Sequence, residues 1–93
     1  MAINANQAGA QVTGAIRALE KLPAKEREAR PSTAFARNYN NLLALSKESM
    51  PAVDARRWPP VIEEMVCDVR YTEIHAFLEQ LSSILQEGFS YGA

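Results

Sequence analysis

Hydrophobic positions recur along this chain at helical spacing, in segments that proline separates. Pro23, Pro31, Pro51 and the pair Pro59-Pro60 interrupt it, because proline lacks the backbone N–H and clashes with the preceding turn. Between roughly Gln7 and Leu22, Ala8, Val12, Ala15, Ile16 and Leu19 fall on one arc about 100° wide, which predicts an amphipathic helix. On the opposite side of that helix Ala10, Gly14 and Ala18 are spaced by four and form a flat strip of small residues. A glycine inside a helix costs about 1 kcal/mol relative to alanine. Close approach of another helix backbone would offset that cost; a strip that simply faces water would not.

Residues 23–30 carry five charges and nothing large to bury, so they form a connector, either a solvated turn starting at Pro23 or a loop. A second long helix is predicted over 32–49. Ser32 or Thr33 caps it, and Phe35, Tyr39, Leu42, Leu43 and Met50 share a face with Ala36 and Leu45 at its edges. Within it Asn38-Tyr39-Asn40-Asn41 is a poor helix former, since Asn side chains compete for backbone groups. Residues 51–60 read as an ordered loop in which Asp54 starts a turn. Pro59 there confines Trp58 to extended backbone. Ile62, Met65, Val66 and Val69 follow i, i+3, i+4, i+7, which predicts a short helix over 60–68. Val61-Ile62 and Met65-Val66-Cys67 are also β-compatible, so strand competes with helix over 61–69. The clearest element is the last. Tyr71, Ile74, Phe77, Leu78, Leu81, Ile84 and Leu85 occupy one arc of a helix over 70–88, closed by Gly88. The expected architecture is all-α: a compact bundle of three principal helices plus one short helix, in a single domain over 1–93. Residues 1–6 are expected to fray and 89–93 to form a tail.

Composition agrees with a small soluble domain: 93 residues, 47% apolar and 23% charged. A chain of this size buries roughly 60–65% of its unfolded surface, enough for one core. The longest apolar run, Leu42 to Leu45, is far short of the ~20 residues that span a bilayer, and the N-terminus lacks the basic and apolar regions of a secretory signal. A single cysteine, Cys67, excludes an internal disulfide. These features predict a cytoplasmic protein with no membrane partner.

Candidate chemistry is sparse. Gly9 to Gly14 has the glycine spacing of a phosphate-binding loop, but Ala15 stands where the lysine belongs. In a continuous helix Cys67 and His75 would sit roughly 12 Å apart, too far for proton transfer. His75 and Glu79, at i, i+4, supply two metal ligands where a site needs more. A boundary histidine bonded to Glu79 is the simpler expectation. The carboxylates of the last third show no spacing that acid–base catalysis requires. No catalytic, cofactor or metal residue is therefore assigned, and the chain is not expected to be an enzyme.

Charge is unevenly dealt. Residues 1–57 hold nine Lys/Arg against five Asp/Glu, while residues 58–93 hold one Arg against six acids. The halves are suited to complement one another, within one molecule or between two. Arg17, Lys21, Lys25, Arg27 and Arg30 make a basic edge, diluted by Glu20, Glu26 and Glu28. That edge is the basis of the alternative reading, a small nucleic-acid-binding regulator using residues 17–30. The favoured reading is a non-catalytic helical module that binds another protein or itself, as a homodimer. Its candidate surfaces are the Ala10, Gly14, Ala18 strip and the segment Arg56, Arg57, Trp58, since Trp and Arg are enriched at interface hot spots.

Overall fold

The computed structural model describes residues 4–65 and 68–88, all helix and connecting segments without a strand among them. Its elements are α1 (Ala5–Glu20), α2 (Ala24–Arg27), α3 (Thr33–Ser49), a single 3-10 turn (Ala55–Arg57) and α4 (Tyr71–Gln86). It is a small helical bundle with three long helices. The proposed tail over 89–93 lies outside the described residues.

Local chemistry sets the ends. α1 starts two residues earlier than its apolar pattern does, because Asn4 and Gln7 form a reciprocal cap: each side-chain oxygen accepts the other's backbone N–H, at 2.9 and 3.0 Å. At its other end the Arg27 guanidinium reaches back and donates to the carbonyls of Glu20 (2.7 Å) and Leu22 (3.1 Å). The Glu20 carbonyl is among those that a helix terminus leaves without an internal partner. Ser32 caps α3 as expected, accepting from Phe35 N–H at 3.1 Å. α4 has no side-chain cap. Instead the end of α2 and the connector after it serve its first turn, with Tyr71 N–H on the Ala29 carbonyl (3.2 Å) and the Thr72 hydroxyl on the Arg27 carbonyl (3.0 Å).

The three long helices bury the faces their periodicity marks. Val12 and Leu19 of α1, Tyr39, Leu42 and Leu43 of α3, and Ile74, Leu78, Leu81 and Leu85 of α4 form one core. Ala36, expected at the edge of α3, is fully buried. Ser46 lies in the core too, satisfied by the Leu42 carbonyl one turn back at 2.7 Å.

Contacts between helix ends fix the topology. Phe35 meets Tyr71 edge to face, with ring centroids 5.1 Å apart, and Tyr39 meets Phe77 at 6.1 Å. At the far end Met50 meets Gly88. So α3 and α4 run parallel, whereas short connections favour antiparallel neighbours. α1 is antiparallel to both, since Ala5 lies beside Gly88 and Glu20 faces His75. Residues 50–65 and 68–70 consequently belong to a crossover between the far end of α3 and the start of α4, and α3 is about 25 Å long at 1.5 Å per residue.

That crossover corrects one expectation. No helix forms over 60–65 or at 68; the short helix is α2 instead. Ile62 is buried while Met65 is 79% exposed, so the i, i+3 spacing marks no common face. The backbone is claimed by α3: the Asn40 carboxamide accepts from Ile62 N–H (3.0 Å) and donates to Ile62 C=O (2.8 Å), and the Tyr39 hydroxyl donates to Pro60 C=O (2.8 Å). Burial holds the Tyr39 phenol protonated well above its ordinary range, which keeps it a donor.

Two glycines have opposite surroundings. A Cβ on Gly14 would meet nothing within 4 Å, whereas one on Gly88 would sit 3.0 Å from Met50 Sδ and 3.1 Å from Ala5 Cβ. Gly88 therefore serves close packing at the helix end. Gly14→Ala is expected to stabilise the monomer by about 0.5–1 kcal/mol, and Gly88→Ala to destabilise it by about 1 kcal/mol through overpacking. Urea unfolding of both at a concentration where the chain is monomeric checks the pair of signs.

Candidate functional site

The outward side of α1 carries the strip of small residues that the sequence marks. Ala10, Gly14 and Ala18 are all exposed and run down its centre. Gln7 and Gln11 flank the first half of the strip and Arg17 and Lys21 the second, and all four are exposed. Val12, Ala8 and Leu19 turn the other way into the core, so the amphipathic pattern that folds α1 also fixes this strip outward. Nothing inside the described molecule approaches Gly14.

The second candidate surface is distributed differently. Asp54 caps the 3-10 turn, accepting from Arg56 N–H at 2.9 Å, which is the turn the sequence predicts there. Trp58 has the extended backbone that Pro59 imposes (φ −76°, ψ 143°) and packs half-buried against the core, beside a buried Pro59. Arg57 forms a two-pronged ion pair with Glu87, and its carbonyl accepts from Gln80 Nε2 at 2.6 Å. Only the Arg56 side chain is largely exposed, at 91%, and it pairs with Asp54 inside the turn. The three residues are thus not brought together on one open patch: Trp58 closes the core and Arg57 ties the crossover to α4.

Two ion pairs join the oppositely charged halves inside one molecule, Arg37–Glu64 at 3.0 Å and Arg57–Glu87. The hydrogen bonds from Arg37 and Arg57 hold the Glu64 and Glu87 carboxyls below the ordinary glutamate range. A carboxyl lowered in the folded state contributes stability above its unfolded pKa and loses it as pH falls through the folded value. The thermal midpoint is therefore expected to fall below about pH 4.3. The double variant Glu64→Gln, Glu87→Gln is expected to flatten that acid limb, as a pH series of melting curves checks. Both pairs are surface pairs, so added salt reduces the difference.

The basic edge is reduced by the fold. Arg27 is spent on the end of α1, while Arg17, Lys21, Lys25 and Arg30 have no carboxylate within 4 Å among the described residues. His75 sits half-buried between two helices. Its Nε2 is 3.5 Å from Glu79 Oε1 and 3.8 Å from Glu20 Oε2, and makes no hydrogen bond. Glu79 thus stands beside the ring as expected, at ion-pair distance rather than in a hydrogen bond, and Glu20, which sequence spacing could not place there, faces the ring from α1. Among the described residues no set of three His, Cys, Asp or Glu side chains could hold a metal ion, and no cavity of ligand size opens. Cys67, considered above as a partner for His75, lies outside the described residues. No helix is long and apolar enough to cross a membrane among the described residues.

The class that this fold defines is a small all-helical bundle. No protein-family model matches the chain, and no curated protein or solved structure matches it either.

Proposed function

We propose that this protein is a non-catalytic helical interaction module that associates with itself or another protein through the outward face of α1. The observation that carries this reading is Gly14. It sits in the middle of a helix, where it costs about 1 kcal/mol relative to alanine, and no group of the described molecule uses the space it leaves. What offsets that cost inside the bundle at Gly88, close packing, is absent at Gly14. A helix laid along Ala10, Gly14 and Ala18 would supply it, because small side chains let two backbones approach closely. Gln7, Gln11, Arg17 and Lys21 would then provide the polar rim that interfaces carry.

The test is Gly14→Leu, examined by light scattering coupled to size exclusion and by circular dichroism. The expected result is loss of the dimer with helical content nearly unchanged, since the leucine has open space in the monomer. An unchanged oligomer, or a wild-type chain that is monomeric and fails to bind through this face, removes the strip from consideration.

A further inference from the structure

A second surface, independent of the α1 face, lies on the crossover. The N–H and C=O of a single residue point to the same side only when its backbone is extended. Asn40 engages both groups of Ile62, and Tyr39 engages the carbonyl of Pro60 two residues earlier. Two adjacent side chains of α3 thus occupy one edge of an extended segment, in the position a neighbouring strand would take. The alternation of a strand then directs the N–H and C=O groups of Val61 and Glu63 to the opposite edge. None of these four groups has a hydrogen-bond partner among the described residues. The Val61 side chain beside them is 67% exposed.

An open edge of this kind is a template for another strand. Charge selects the occupant. Glu64 is neutralised by Arg37, but Glu63 has no cation within 4 Å among the described residues, and neither have Asp68 and Glu73 further on. Two copies of this edge would bring like charges to the same short ladder, which is unfavourable. We propose that the edge of residues 61–63 receives an extended basic segment of another protein as an added β-strand, with a Lys or Arg opposite Glu63 and an apolar side chain opposite Val61.

The probe is the peptide acetyl-Thr-Lys-Thr-Val-Thr-Lys-Thr-amide, whose Lys and Val stand two apart on one face as Glu63 and Val61 do, added to the full chain at low ionic strength while amide hydrogen exchange is followed by NMR. Its controls are the fully N-methylated peptide, which cannot pair, and the same peptide with Glu in place of each Lys. The basic peptide is expected to slow exchange at Val61 and Glu63 by about tenfold or more, and the two controls to leave it unchanged. Glu63→Lys is expected to abolish the effect of the basic peptide and confer one on the acidic peptide. Val61→Pro, which removes an outward N–H that the fold does not use, is expected to abolish both without lowering the melting temperature. The proposal is overturned by unchanged exchange at about 1 mM peptide, by equal slowing with the N-methylated peptide, or by slowing that rises with protein concentration alone, which would signal self-pairing.

Discussion

Truncating Leu78 to alanine is expected to lower the unfolding free energy by about 3–4 kcal/mol. The side chain is fully buried in the middle of α4, where that helix packs on α1 and α3. Removing its methyl groups forfeits their transfer free energy and leaves a cavity that neighbours on three helices cannot fully close. A domain of this length is held together by only about 5–10 kcal/mol, so the variant should sit near the edge of folding at 37 °C. Val61→Ala is the control, because that side chain is largely exposed and its loss should cost less than about 0.5 kcal/mol. Chemical denaturation of the two variants measures burial against exposure directly. Similar losses in both would mean that Leu78 does not occupy the core.

The second large effect is expected from Asn40→Asp, a change that alters almost no volume. An aspartate still accepts from Ile62 N–H but presents a negative oxygen where the amide donates to Ile62 C=O. It also lies near Glu64 Oε2, which Asn40 Nδ2 approaches at 3.4 Å. One donor is lost, a part-buried carbonyl is left facing an acceptor, and two carboxylates repel. The expected cost is about 2–4 kcal/mol at neutral pH. Asn40→Ala, which loses both bonds without introducing charge, should cost about 1–3 kcal/mol. Exchange of the Ile62 amide should accelerate in Asn40→Ala but remain partly protected in Asn40→Asp. Equal acceleration would show that the carboxamide does not clamp this residue as a pair.

Asn40 also marks where sequence reasoning stopped. The long helices were legible because their apolar residues repeat at the helical period over about three turns or more, as Ile74, Leu78, Leu81 and Leu85 do. Ser32 was legible because its capping bond is local. The crossover was not, because its conformation is decided by side chains more than twenty residues away, and Ile62, Met65 and Val69 match a helical spacing by coincidence. The signal was present in another form: Asn38 to Asn41 is a weak helix former, and Asn40 is now seen to be half-buried and fully engaged. The parallel course of α3 and α4 was hidden too, since the length of residues 50–70 permits either direction and only the ring pairs Phe35–Tyr71 and Tyr39–Phe77 decide it. Of the surfaces, the strip of small residues on α1 was readable because facing outward follows from the same wheel that buries Val12. The fate of Arg57 was not, because its partner Glu87 is on another helix.

The pairing of α1 with α4 has a bearing on how the protein is made. α1 packs most extensively against α4, and Ala5 ends beside Gly88. On a ribosome α1 and α3 therefore emerge with much of their apolar faces uncovered, and the groups that cover them arrive only once residues 74–85 are synthesised. Val12, Leu19 and Leu43, buried in the finished fold, lack the cover of α4 during that interval. The core is complete only when α4 is in place, because it joins distant parts of the sequence.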